Sequence, residues 1–252
     1  MDAATLRAVF QAGPSNPLVG LEGRAGLMAR LGDALQAEAA VDATPARPGL
    51  MYDRLTEGGT RTEVRAEAIL HEVLLTLGPI WTSGSLLFGL RAGDVWPHRW
   101  AGSATGAGHA PDPATLHWVP FHKLSQWLAY SLVEPLQWAG VRVTGLDALT
   151  ALPEYRNGGL LLDGGAIVPR IPSWLQRTFK PGDEFVVEWR ALTVTLIDEL
   201  APMVRQRLGV DAQRMPLPCI LEGGTWAAGR QLAQALRDGA PPVRIESDGT
   251  VF

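Results

Sequence analysis

The sequence predicts a mainly α protein, a helical bundle interrupted by one small β-hairpin. Three observations carry that reading. Apolar residues recur at three- and four-residue intervals through four long stretches, as expected of helices with one buried face. Only residues 85–96 read as paired strands. The 28 glycines and 19 prolines among 252 residues exceed ordinary usage, so many turns and helix ends are specified locally.

Taken in order, residues 2–12 predict a short amphipathic helix closed by Gly13 and Pro14. Residues 18–40 predict a longer one, with Leu21, Leu27, Met28, Leu31 and Leu35 at helical spacing. Pro45 and Pro48 mark a connection, and residues 51–55 form one more turn. Helical periodicity returns over residues 62–77 and stops at Gly78 and Pro79. Next come the hairpin at 85–96 and a Gly-, Ala- and Pro-rich surface loop at 97–113, of a kind that can serve as a lid.

Residues 118–138 predict a helix with Pro120 in its first turn and a kink or end at Pro135. His122 and Gln126 share one stripe; Lys123, Trp127, Tyr130 and Glu134 share the next. That pattern suits either a polar pocket or a solvated face. The longest helix follows Pro181, Gly182 and Asp183, with Asp183 as its expected N-cap. Within it Arg190 falls on the apolar stripe of Val186, Val194 and Ile197. A buried guanidinium requires a carboxylate or bound anion, and an intramolecular carboxylate is the first expectation. In the tail, Gly223 and Gly224 precede Thr225, a possible N-cap of a helix running to about residue 236. Such a helix start can hold phosphate, with Arg230 assisting. The apolar end Val251–Phe252 is expected to dock and so to hold Asp248.

The chemically densest stretch is 149–165, LTALPEYRNGGLLLDGG, where Glu154, Tyr155, Arg156 and Asn157 follow Pro153. Proline suits the first helical position, which places Glu154 in the first turn, where the helix dipole favours its ionised form. A fixed anion there can stabilise positive charge developing on a substrate. It can equally be no more than a charge balancing a helix end, with Arg156 paired to a nearby acid.

Composition excludes several classes. At 46% hydrophobic and 19% charged, the chain suits one domain over residues 1–252, or two packed halves, 1–117 and 118–252. A net charge of -4 gives no general attraction to nucleic acid. The single cysteine, Cys219, rules out an intramolecular disulfide and a thiolate metal site. His98, His109, His117 and His122 lack the helical spacing and supporting carboxylate of a metal motif, so no metal is expected. With no eighteen-residue apolar window and no leader-like start, a cytoplasmic protein that does not span a membrane is expected.

Six blocks, GDVWPHRWAG, VPFHKLSQWLAYSLVEPLQWAG, LTALPEYRNGGLLLDGG, VVEWRALTV, LEGGTWAAGR and SDGTVF, together closely resemble the uracil-catabolism family. That family is otherwise described only as a domain of unknown function. The resemblance runs from about Asn16 to the C-terminus and implies that this chain corresponds to the C-terminal part of a longer architecture. A weaker likeness links it to the queuosine-salvage N-glycosidases, an all-helical family akin to helix-hairpin-helix DNA glycosylases. It rests on Lys123 and Gln126, then Leu149-Thr150 with Glu154-Tyr155-Arg156, then Val187-Glu188-Trp189-Arg190, then Val251-Phe252. The resemblance implies a similar fold and a catalytic carboxylate at Glu154, with glutamate in place of that family's aspartate. Trp226-Ala227-Ala228 stands where that family has Trp-Asp-Tyr, so the base-reading acid is absent and a different leaving group is implied.

Together these resemblances imply hydrolysis of the N-glycosidic bond of a ribosylurea-like intermediate, in its 5-phosphorylated form, releasing urea and ribose phosphate. Glu154 would be catalytic, while Lys123, Arg156 and Arg230 bind phosphate, His122, Tyr155, Asn157 and Asp248 hold the ribose or urea, and Gln126 is a further substrate-binding residue. The expected partner is this small ribosyl molecule, with no metal or other cofactor. Two other classes remain open: an amidohydrolase acting on the urea end, and a non-catalytic ligand-binding partner of uracil degradation.

Overall fold

A computed structural model describes residues 2–81, 86–102 and 116–246. Asp248, His109 and most of the expected 97–113 loop lie outside these residues. In chain order the first elements are α1 (Ala3–Val9), α2 (Leu21–Asp42), α3 (Leu50–Leu55), β1 (Glu63–Arg65) and α4 (Ala66–Leu77). Then come β2 (Leu86–Leu87), β3 (Leu90–Arg91), β4 (Val95–Pro97), β5 (Trp118–Pro120), α5 (Lys123–Ser131), α6 (Val133–Trp138) and β6 (Arg142–Thr144). The rest is α7 (Tyr155–Asp163), β7 (Thr178–Phe179), α8 (Glu184–Leu208), α9 (Leu217–Ile220), α10 (Trp226–Arg237) and β8 (Arg244–Ile245). The protein is mainly α, as the periodicity predicts, and every sheet among the described residues has two strands.

The contacts divide the described chain into two units, one of residues 2–93 with 124–149 and one of 94–123 with 150–246. In the first unit, Leu27, Leu31 and Ala34 of α2 pack against Met51, Val73, Leu77 and Ile80. A second cluster gathers Leu55, Val64, Ile69, Ala129, Leu136, Val141 and Leu149. Half-buried Arg54 ties this unit together, pairing with Glu38 at 2.8 Å and Glu72 at 2.7 Å. The expected hairpin forms as the short antiparallel pair β2–β3, while Val95–Pro97 belongs to a different ladder.

Two expected helices begin differently. Residues 63–65 of the 62–77 stretch form β1, paired in parallel with β6. The three residues hide an alternation, with Val64 buried between exposed neighbours, and a partner strand supplies the ladder. In the 118–138 stretch, Trp118–Pro120 is β5, antiparallel to β4, and the helix starts only at Lys123. Its interruption falls at Leu132 rather than at Pro135, because the proline ring clashes with the carbonyl four residues back, at Ser131, where α5 ends.

In the second unit, α8 is a 25-residue helix closed by Gly209 at φ 67°. Asp183 sits at its N-cap position, but its carboxylate accepts the Lys180 N–H at 2.8 Å and caps nothing in α8. Val186 and Trp189 of α8 pack with Phe179 and Val243, the latter held near by the parallel pair β7–β8. Helix α7 lies against α10 at very close range. A Cβ on Gly229 would meet the carbonyl oxygen of Arg156 at 2.2 Å, so only glycine permits the approach.

The tail corrects one expectation. Gly223 and Gly224 do not precede a fresh helix start; they lie in a π-helical turn, Leu221–Thr225, that joins α9 to α10 without a break. Thr225 is itself helical, at φ −65° and ψ −37°, and does not cap. Backbone N–H groups used within a continuous helix are not offered to an anion, so the expected phosphate cradle is not formed there.

Candidate active site

The segment before α7 builds the site, and Pro153 lies in it one residue before the N-cap. Glu154 is the N-cap, at φ −128° and ψ 171°, rather than a first-turn residue. Its two carboxylate oxygens accept the N–H groups of Asn157 at 2.8 Å and Arg156 at 3.0 Å. The carboxylate therefore satisfies two of the donors that every helix start leaves over, and it sits where the dipole favours negative charge. It is only 8% exposed. Burial raises the Glu154 carboxyl above the usual carboxylate range, against the two backbone donors and the charges of Arg156 and Lys123, which pull it down.

Asn157 locks this cap. It is fully buried, donating from Nδ2 to the carbonyl of Leu152 at 2.9 Å and accepting at Oδ1 from the Thr225 hydroxyl at 2.7 Å. The π-turn that carries Thr225 is thus the support of the Glu154 loop. A second support comes from α8, where the Trp189 indole N–H donates to the carbonyl of Gly158 at 3.1 Å.

Asp94, just before β4, organises the other side. Its carboxylate accepts from both Nη groups of Arg190 at 2.7 Å each, from the Trp96 indole at 2.7 Å and from the backbone N–H of Lys123 at 3.1 Å. Its carbonyl accepts from the N–H of Phe121 at 2.9 Å and of His122 at 3.2 Å. One residue thereby fixes both the buried arginine and the start of α5. Burial pushes the Asp94 carboxyl up, but Arg190, Trp96 and the Lys123 N–H outweigh it and leave it below its ordinary value. Arg190 also donates from Nε to the carbonyl of Pro153 at 3.2 Å and lies 4.1 Å over the Phe121 ring. The arginine predicted to need a partner has an intramolecular carboxylate.

His122 and Lys123 enter between β5 and α5. His122 has φ 46°, a left-handed conformation uncommon for a residue other than glycine and typical of functional turns. It is half-buried, and burial lowers its imidazole pKa while Asp94 raises it. Lys123 is buried, and its ammonium is lowered to about 8 by desolvation first and by Arg190 next, against the attraction of Asp94 and Glu154.

Arg156 projects from the first turn of α7, 5.2 Å from the Tyr155 ring and 5.4 Å from the Trp226 ring, with its Nε donating to the Tyr155 hydroxyl at 3.1 Å. Aromatic faces hold the guanidinium without neutralising it.

The fold thus brings Lys123, Glu154 and Arg156 within electrostatic reach of one another, with Tyr155 against Arg156, His122 beside Asp94 and Asn157 in a scaffolding position under the Glu154 cap. Gln126, buried one turn further along α5, belongs to the first unit. Arg230 is exposed on α10 and, among the described residues, makes no hydrogen bond or ion pair to the group. Asp94, Trp96, Phe121, Trp189 and Thr225 support this group through the hydrogen bonds and ring contact above, and none of them was expected as a site residue. The only signal for Asp94 was the requirement that Arg190 be paired. Among the described residues, no three His, Cys, Asp or Glu side chains are grouped to hold a metal ion. Nor is any described helix long and apolar enough to cross a membrane.

A buried carboxylate with two cations beside it is suited to two tasks. It can stabilise a developing positive charge, and, its carboxyl being raised by burial, it can accept a proton more readily than an exposed glutamate does.

A family model described as a protein of unknown function, DUF1688, matches residues 1–252. Uracil catabolism protein 4 of Lachancea kluyveri is 37% identical over 272 residues, covering 96% of this chain and 59% of that protein. Protein urg3 of Schizosaccharomyces pombe is 35% identical over 253 residues, covering 98% of this chain and 58% of that protein. The chain spans about three fifths of the length of these curated relatives. No solved structure matches. The comparison with the helix-hairpin-helix glycosylase fold therefore rests on the sequence resemblance alone.

Proposed function

Since the chain belongs to the DUF1688 family of proteins of unknown function, one of whose relatives carries the name uracil catabolism protein, we propose that it acts in uracil degradation. Its reaction in this reading is hydrolysis of the N-glycosidic bond of a ribosylurea, in the 5-phosphorylated form, to urea and ribose phosphate. The observation that carries the reading is the Glu154 carboxylate, buried and held by two backbone N–H groups beside Lys123 and Arg156.

Departure of urea leaves an oxocarbenium-like sugar, and a fixed carboxylate facing the anomeric carbon lowers the energy of that cation. The attacking water gives its oxygen to the anomeric carbon. Its proton passes through Glu154 to the departing urea nitrogen, so one water is consumed and no charge is left over. A carboxyl raised by burial suits this shuttle, since it takes up a proton more readily than an exposed glutamate does. Lys123 and Arg156 neutralise the phosphate, and His122 and Tyr155 address the sugar hydroxyls or the urea.

The reading is tested by incubating this chain, and in parallel a full-length relative, with ribosylurea and with its 5-phosphate. Urea and reducing sugar released in equal amounts, faster from the phosphate, support it. Release of neither product from either protein overturns it.

A further inference from the structure

Trp100 is 68% exposed, yet the turn that carries it is fixed. Its backbone N–H donates to His98 Nδ1 at 3.2 Å, and the Ala101 N–H donates to the His98 carbonyl at 3.1 Å. Arg99 ties the same turn to α8, donating to Oε1 of Glu184 from its backbone N–H at 3.2 Å and from Nε at 2.6 Å. A large aromatic held out in water on a rigid turn loses little freedom when a partner covers it.

Trp100 also borders a cleft of about 470 Å³, which is ample for one indole side chain. Trp174 and Phe185 line it, their rings meeting edge to face at 5.1 Å, together with the buried Trp189. Val168 and Leu192 line it as well, and both are exposed. Apolar groups left in water around a single concavity mark a contact surface, unlike apolar residues scattered singly.

The charges select the occupant. Among the described residues the cleft is lined by Arg99, Arg170, Glu184 and Glu188, two of each sign. That balance offers no attraction to an anionic lipid surface or to nucleic acid. Arg99 and Glu184 neutralise each other. Arg170 makes no ion pair among the described residues, and exposed Glu188 makes none there with lysine or arginine, standing 4.0 Å from the His98 ring. One open cation, one open anion, one protruding indole and one hole together form a patch complementary to itself. A two-fold interface demands that property, because a residue that meets a second residue across it is met by the same residue in return.

We propose that this face joins two copies of the chain about a two-fold axis, each Trp100 entering the cleft of the other copy and each Arg170 pairing with Glu188 of the other copy. This goes beyond the proposed reaction and does not rest on it, since none of these residues is assigned a part in the hydrolysis.

Sedimentation velocity of the whole chain from about 1 to 100 µM reads the assembly directly. A concentration-dependent dimer is expected. Trp100→Ala, at an exposed position and so compatible with folding, should raise the dimer dissociation constant at least about thirtyfold, because one interface contains the contact twice. Arg170→Glu and Glu188→Arg, also at exposed positions, should each raise it at least about tenfold by setting like charges against each other. A variant carrying both reversals regains the pairs in the opposite sense and should return to within about threefold of the wild type. A monomer at every concentration, a dimer unaffected by Trp100→Ala or by either single reversal, or a double reversal no tighter than the single ones would each overturn the proposal. The readout is mass rather than turnover, so the interface stands or falls apart from the proposed reaction.

Discussion

Asp94 grips Arg190 through two parallel hydrogen bonds of 2.7 Å, and the same carboxylate receives the N–H that opens the helix carrying Lys123. The guanidinium in turn holds the carbonyl of Pro153, one residue before Glu154. A single buried pair thus sets the position of both the lysine and the carboxylate.

Asp94→Asn should destabilise the protein by about 3–5 kcal/mol, because Arg190 would remain charged and buried without its counter-ion. Chemical denaturation at neutral pH measures this. The pH sign is fixed by the lowered Asp94 carboxyl: its stabilisation is complete above the ordinary value of 3.8 and is lost as pH falls through the folded-state value. The gap between wild type and variant should therefore close only in acid.

Lys123→Met should do the opposite and stabilise the fold. Lowering the ammonium from 10.5 to about 8 means that its charged form costs about 3 kcal/mol in the folded state. Below about 8 the lysine is protonated both folded and unfolded and the cost is present in full; it is relieved as pH rises from there towards 10.5. The variant's advantage in denaturant titrations should be largest at neutral pH and vanish above the upper value. A lysine kept at such a cost is consistent with use rather than packing.

Gly229→Ala should destabilise by about 1–3 kcal/mol, as overpacking against a backbone oxygen allows no rotamer escape. Gly158→Ala meets the buried Trp189 ring at 2.6 Å and should behave alike. Because both displace α7, each should also reduce turnover more than its loss of stability explains, measured at a temperature where the variant is fully folded.

For the proposed hydrolysis, the rate should rise with pH as Glu154 loses its proton, above the ordinary 4.5, and fall beyond about 8 as Lys123 loses its charge. Lys123→Arg keeps the charge at every accessible pH. Its pH–rate profile should retain the acid limb and lose the alkaline one.

The helical class and the polar run at Glu154 were legible because both are written in local spacing. That Arg190 needs a carboxylate was legible too, since burial of a guanidinium is a local inference. Which carboxylate was not: Asp94 lies 96 residues away, and nothing in either segment's periodicity couples them. The parallel pair β1–β6 escaped for the same reason, being three residues whose partner is 79 positions distant. At Gly223–Gly224 the local signal pointed the wrong way. Two glycines ordinarily end a helix, yet here the turn widens and continues, with Thr225 bonded to Asn157 and α10 packed on α7 through Gly229. Tertiary contacts decided the outcome over propensity.

The most direct test of the central claim is the rate of urea release by Glu154→Gln beside the wild type, on ribosylurea 5-phosphate, with folding checked by thermal unfolding. Glutamine keeps an oxygen for the cap but carries no charge and takes up no proton. The account predicts a folded variant with turnover reduced at least about a hundredfold, the scale on which losing a key transition-state contact is felt. A folded Glu154→Gln protein that releases urea at the wild-type rate would contradict it.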